Sequence, residues 1–295
     1  MRIVSYVHEH GVRGGILSEG AVYDLQRLLL ASGRIVTSPS VRDFLTTHGE
    51  DLEKLSDQFA QLVQDNPHTW VGDLRNIQLT SPVPDPAKVL CVGLNYKDHV
   101  AETGRALPEY PDVFAKFATS MIGPADEIEG ADVSSNLDFE GEVAVVIGRT
   151  ARRVPEAEAL AYIAGLAPLN DISARDLQYR GTQWLAGKSV DRSTPWGPAL
   201  VTLDEAGDIQ DLDLVTRVNG TEVQRSNTKY QIFPIARIVS YLSSFLTLEP
   251  GDVIATGTPQ GIGAKRTPPL WLRPGDVIDV DVERIGLLSN RVGAY

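Results

Sequence analysis

A chain of 295 residues, 42% hydrophobic and 22% charged, has room for one sizeable domain and a small one, or for two of ordinary size. Its formal charge of -12 supplies no basic stripe for a nucleic acid or an anionic membrane surface, and no run approaches the roughly 20 apolar residues of a membrane span. The opening MRIVSYVHEHG lacks the basic and apolar regions of a signal peptide, which predicts a cytoplasmic protein, and the single cysteine, Cys91, excludes an internal disulfide or a thiolate metal cluster.

Residues 1 to about 80 read as a small α/β domain. Short strands fit 2–7, 14–17 and 21–25, the last two joined by the turn Ser18-Glu19-Gly20. A helix fits 51–64, where Leu52, Leu55, Phe59, Leu62 and Val63 share one face. His8, His10, His48 and His68 lack the spacing of a metal motif and read as surface residues. The proline-spaced stretch 81–86 is a stiff connector, so the predicted division is 1–80 and 81–295.

After the connector, short apolar segments bounded by Gly, Pro and Asp predict strands over 88–93, 139–148, 166–169, 199–203, 214–218, 221–224, 253–256, 277–282 and 286–292. Asn219-Gly220 marks a tight hairpin between two of them. Helices fit 94–103, 155–163 and 234–246, the last two opening with proline at a first helical position. Leu248-Glu-Pro-Gly-Asp-Val-Ile254 is echoed by Leu272-Arg-Pro-Gly-Asp-Val-Ile278, two similar turns feeding two strands of a rolled or barrel-like sheet. The fold class expected is mainly β with α.

Polar residues interrupt this pattern in five places. Asp138, Glu140 and Glu142 alternate along one predicted strand and so share a face. The apolar run Val143-Ala-Val-Val-Ile147 makes that strand central, and buried acids so close repel unless a cation intervenes. Oxygen-only clusters bind Mg2+, Mn2+ or Ca2+; the plainer alternative is an exposed acidic strand end. His99 and Glu102, three apart on a short helix, can form an imidazole base held by a carboxylate, or an ordinary solvated pair. Asp171 ends an apolar strand and either completes a three-carboxylate site or joins Ser173 in a helix cap. Lys188, between Gly187 and Ser189, suits a cation that reaches an anionic oxygen, or is a surface lysine. The loop 255–263 brings backbone amides and Thr258 toward a ligand but lacks the lysine and glycine spacing of a nucleotide site. Cys91, in an apolar run, reads as a buried structural thiol.

Taken in order, Gly93-Leu-Asn-Tyr96 with His99 and Glu102, Phe139-Glu-Gly-Glu142, Asn170-Asp-Ile-Ser-Ala-Arg-Asp176 with Gln178, Gly187-Lys-Ser189 and Thr256-Gly-Thr-Pro259 resemble the fumarylacetoacetate hydrolase family over roughly 86–295. The resemblance implies a mixed β-sandwich roll behind a small N-terminal domain, usually in a homodimer. It implies Glu140, Glu142 and Asp171 as ligands of Mg2+, Mn2+ or Ca2+, with Asp138 outside the set although on the same strand face. Lys188, Gln178 and Arg175 would meet substrate or metal-bound water, Thr258 a substrate carboxylate or carbonyl, and His99 with Glu102 would activate water. Specificity is expected in 104–112, in Lys116 and in 179–184. Arg105 and Arg180 are candidates for a second substrate carboxylate, solvated arginines being the commoner case. The activity implied is hydrolysis of a carbon–carbon bond in an acylpyruvate-like or diketo acid. Oxaloacetate decarboxylation or isomerisation of an oxo-diene diacid could use the same site, and a non-catalytic small-acid-binding protein is the remaining alternative.

Overall fold

The computed structural model describes residues 1–294. The chain opens as an antiparallel meander of β1 (Arg2–His8), β2 (Gly11–Ser18) and β3 (Ala21–Asp24). The strand expected over 21–25 stops at Asp24, whose carboxylate accepts the Arg27 amide at 2.8 Å and starts helix α1 (Leu25–Ala31). A second unforeseen helix, α2 (Val41–His48), is capped by Ser40 in the same way. Helices shorter than roughly 12 residues show little period and are marginal alone. These two persist by burying Leu25, Leu28, Leu29, Val41, Phe44 and Leu45. Helix α3 (Leu52–Asp65) lies where its apolar face predicted it. β4 (Trp70–Asp73) then pairs with β3, and β5 (Leu79–Thr80) with β1.

Ser81, Pro82 and Val83 of the connector are buried. β6 (Val89–Gly93) follows, then α4 (Lys97–Thr103), β7 (Asp112–Lys116) and the two-residue strands β8 (Met121–Ile122) and β9 (Leu137–Asp138). β10 (Gly141–Ile147) is followed by a 3-10 helix at Glu156–Tyr162, β11 (Ile163–Asn170) and β12 (Ser173–Ala174). Single-turn helices α5 (Arg175–Gln178) and α6 (Leu185–Lys188) precede β13 (Thr194–Pro195), β14 (Leu200–Val201) and α7 (Leu203–Ala206). The hairpin β15 (Asp213–Val218) and β16 (Thr221–Asn227) turns at Asn219-Gly220, both at positive φ, as the dipeptide predicted. Helix α8 (Ile235–Phe245), β17 (Val253–Ala255), β18 (Val277–Val282) and β19 (Gly286–Arg291) complete the described elements. Pro155 and Pro234 stand at N-cap positions, one residue earlier than expected, and the helix expected over 155–163 is of the 3-10 type.

An eleven-stranded sheet runs β4-β3-β2-β1-β14-β11-β10-β17-β6-β7, with β5 also on β1. Only β17 and β6 pair in parallel along it. The N-terminal strands continue this sheet, since Arg2 lies opposite Val201 and Ile3 opposite Leu200. A four-stranded antiparallel sheet, β16-β15-β18-β19, forms the second layer. The alternation of β10 divides the core: Ala144 and Val146 pack toward α1, α2 and α3, while Val143, Val145 and Ile147 pack toward α8 and the smaller sheet. The two echoed turns share a design, with Asp252 accepting the Glu249 amide and Asp276 the Arg273 amide, but they feed strands of different sheets. The architecture is mixed α and β with a β core, as expected.

Pairing also explains where the polar segments meet. Antiparallel β10 and β11 place the start of one beside the end of the other, with Gly141 opposite Asn170. β17 and β6 end at the same edge, Ala255 beside Cys91. Four chain segments therefore emerge together: 138–142, 170–178, 256–263 and 93–105.

Candidate metal centre and active site

Glu140, Glu142 and Asp171 come together at this edge, all buried, with one carboxylate oxygen of each within 4.8 Å of the others. The backbone sets this convergence: the Asp171 amide donates to Glu140 O at 2.8 Å, and Asn170 Oδ1 accepts the Glu140 amide at 3.0 Å. Glu142, first on the Ala144 face of β10, accepts the Gly257 amide at 2.7 Å. A helix cap by Ser173 is not formed; Ser173 pairs with Asp138 in β12 and its hydroxyl donates to Asp171 O.

The expectation that Asp138 shares a strand face with the two glutamates is not met. Phe139 and Glu140 lie outside the ladder, so Asp138 belongs to β9 and its alternation with Glu140 is broken. Its carboxylate accepts the amides of Phe139, Gly263 and Ala264 and Nε of Arg175. Asp138 is thus fully engaged in tying the 263–264 turn and Arg175 to the centre.

Three buried cations thread the acids. Lys188 Nζ donates to Glu140 Oε2 and Asp171 Oδ2, both at 2.7 Å. Lys116 Nζ donates to Asp171 Oδ1 at 2.7 Å and to Ile172 O. Arg175 spans Asp138, Glu140 (2.6 Å) and Gln178 Oε1 (2.9 Å). Burial alone would raise the Glu140 carboxyl, but Lys188, Arg175 and His99 hold it at about 2. Burial and the negative charges of Asp171 and Glu140 push Glu142 well above the carboxylate range. Burial opposes the charge on Lys188 and Arg175, yet their carboxylate partners keep both more firmly protonated than usual.

Four buried carboxylates thus face three buried cations, and among the described residues Glu142 is in no ion pair. The donor set is oxygen only, and the three oxygens, all within 4.8 Å of one another, are gathered closely enough to hold one hard divalent cation.

A cavity of about 180 Å³ opens onto Glu140 and Glu142, lined also by His99, Arg175, Gln178, Lys188 and Thr258. It is smaller than the roughly 300–1,000 Å³ typical of drug-sized ligands, which suits a small metabolite. His99 Nδ1 lies 2.7 Å from Glu102 Oε1, and Glu102 Oε2 accepts the Gly261 amide at 3.0 Å, so the 256–263 loop orients the pair. Thr258 donates its hydroxyl to Gly141 O and accepts from Gln224 Nε2. Lys116, expected to contact substrate, stands behind Asp171 and does not line the cavity. Of the two candidate arginines, Arg105 lines it and Arg180 does not.

Some contributors carried no assigned role in the sequence. Asn95 donates to Phe233 O and Thr256 O and accepts the Phe233 amide, binding the 93–96 turn to the 256 loop. Gln224, from the smaller sheet, accepts the Gly141 amide and donates to Thr258 and Pro259. Nothing in a lone glutamine on a hairpin signals this. Phe114, Ile262 and Lys265 also line the cavity without an assigned role, although Ile262 lies within the loop 255–263 already singled out.

Residues 88–293 match the family described as Fumarylacetoacetate (FAA) hydrolase C-terminal. The chain is 37% identical over 291 residues to oxaloacetate tautomerase YisK of Bacillus subtilis (strain 168), covering 95% of each protein. It is 43% identical over 218 residues to the mitochondrial oxaloacetate tautomerase FAHD2A of Homo sapiens, covering 73% of this chain and 69% of the human protein. Among solved structures it matches fumarylacetoacetate hydrolase (EaFAH) from psychrophilic Exiguobacterium antarcticum over the whole of both chains, with a TM-score of 0.83 and 35% identity. It also matches maleylpyruvate hydrolase from Sphingobium sp. SYK-6 in complex with manganese (II) ion and pyruvate, with a TM-score of 0.77 and 25% identity over 99% of each chain. With the acidic centre and this match over most of its length, the chain belongs to the fumarylacetoacetate hydrolase family.

Proposed function

We propose that this protein is a divalent-metal-dependent enzyme that interconverts the keto and enol forms of oxaloacetate or a closely similar 2-oxo acid. The observation that carries the reading is the meeting, at one small cavity, of two members of the three-carboxylate centre, Glu140 and Glu142, with a protonated lysine and a carboxylate-held histidine. Similarity to oxaloacetate tautomerase YisK over nearly the whole chain supports the choice of substrate.

Glu140, Glu142 and Asp171 would hold Mg2+ or Mn2+, which at such a site supplies Lewis-acid polarisation of a bound 2-oxo acid. The chain's own residues do the rest. Glu102 engages Nδ1 of His99, leaving Nε2 to take the proton from carbon 3 toward the enol and to return it toward the keto acid. The oxygen on carbon 2 gains a proton from solvent in the first direction and loses it in the second. Lys188 stays protonated beside Glu140 and Asp171 and stabilises the developing enolate oxygen. Gln178, whose Oε1 accepts from Arg175 and whose side-chain N–H groups are left to donate, orients the acid in the cavity, while the Thr258 hydroxyl is already given to Gly141 O.

A second reading, hydrolysis of an acylpyruvate, uses the same residues with His99 activating water, and the likeness to maleylpyruvate hydrolase favours it. The test is ultraviolet absorbance of the oxaloacetate enol, followed with Mg2+ or Mn2+ present, beside a panel of acylpyruvates and a measurement of CO2 release. The expected result is metal-dependent acceleration of enol–keto exchange that falls by about 10²–10⁴-fold in His99→Ala. No acceleration together with acylpyruvate cleavage would replace the first reading by the second.

A further inference from the structure

We infer that Arg105, laid on the indole of Trp184 at the rim of the cavity, binds the second carboxylate of a diacid, with Lys265 as a supporting cation. The inference rests on the reading of the cavity as a 2-oxo acid site, and it names the residue that selects diacids over monoacids there.

The cations deep in the site are already committed. Lys188, Lys116 and Arg175 each donate to two or more acceptors of the centre. Arg105 and Lys265 line the same cavity, are exposed, and have no carboxylate partner among the described residues. Rim charges of this kind are free to meet a ligand.

Arg105 is also held in place. Its guanidinium carbon lies 5.3 Å from the centroid of the Trp184 ring. Trp184 in turn packs edge-on against Phe114, with centroids 5.4 Å apart, and its ring presses so close to Gly93 that a Cβ there would meet it at 2.6 Å. Phe114 carries Lys188 Nζ at 5.2 Å from its centroid on the inner side. A column of cation, ring, ring and cation therefore runs from the acidic centre to the rim. A guanidinium that rests on an aromatic ring by its face keeps its edge N–H groups free, in the planar fork that matches a carboxylate. Arg180, equally exposed, does not line the cavity.

The experiment is calorimetric titration of the Mn2+-loaded protein with 3,3-difluorooxaloacetate, a diacid that cannot enolise, and with pyruvate, a monoacid. Wild type, Arg105→Gln, Lys265→Gln and Arg180→Gln are compared, with thermal melting as a check on folding. Arg105→Gln is expected to weaken the diacid by about tenfold and to leave pyruvate unchanged, Lys265→Gln to weaken the diacid less, and Arg180→Gln to change neither. Equal loss for both acids, no loss for the diacid in Arg105→Gln, or absence of diacid binding by wild type overturns the proposal. The outcome is separable from tautomerase activity: selective loss of diacid binding with no turnover of oxaloacetate would sink the proposed reaction and leave Arg105 as the selecting residue. Turnover without that selectivity would do the reverse.

Discussion

Glu142 is the carboxylate of the centre that no cation neutralises, and its position makes a prediction at the scale of a single atom. Ionising it in the fold is opposed by burial and by Asp171 and Glu140, so a neutral side chain of the same shape should be easier to accommodate. Glutamine keeps an oxygen for the Gly257 amide. Glu142→Gln is therefore expected to melt at or above the wild-type temperature without metal, and to bind Mn2+ at least tenfold more weakly by calorimetry. A lower metal-free melting temperature, or unchanged Mn2+ affinity, contradicts the assignment. Asp138 shows why residue types alone mislead here. Alternation put it beside Glu140, yet four donors turn its carboxylate toward Arg175 and the 263–264 turn. Those donors come from segments more than 30 residues downstream, apart from its own neighbour, and no local pattern announces them.

At the scale of elements, the site depends on the first residues of β10. Gly141 lies between the two glutamates, against the smaller sheet, and a Cβ there would stand 2.0 Å from Thr216 Oγ1. The close approach lets β15 and β16 support the centre, with Gln224 accepting the Gly141 amide. Gly141→Ala requires the Thr216 side chain or the start of β10 to give way, and movement of β10 would carry Glu140 and Glu142 with it. Weakened Mn2+ binding and a lower melting temperature are expected; a variant with wild-type metal affinity would show that the contact is not what fixes the ligands. Long amphipathic or strongly apolar elements such as α3, α8, β10 and β11 were legible because their burial pattern is periodic or continuous. The short helices α1 and α2 were not, since caps and tertiary burial rather than period sustain them.

For the whole molecule, the buried centre sets four carboxyl groups against three cations, and a bound divalent ion would let the unpaired one, Glu142, ionise within the fold. Metal binding to the folded state alone should raise stability by about 2.7 kcal/mol at a hundred times the dissociation constant. Melting curves with Mn2+ and with a chelator test this, and superimposable curves would argue that the centre holds no metal. The sequence by itself determined which polar residues stand at apolar strand ends and in what order, because such residues are costly there and stand out. Spacing alone grouped Asp138 with Glu140 and Glu142, and the roles of Asp171, Lys188 and the His99–Glu102 pair came from the family resemblance. Only the tertiary structure decided their geometry, since which acids face the cavity follows from strand register, and which cations remain free follows from pairings across 17 to 55 residues of chain. That is why Lys116 proved to be a brace behind Asp171, Asp138 a tie to Arg175, and Arg105 rather than Arg180 the arginine at the rim.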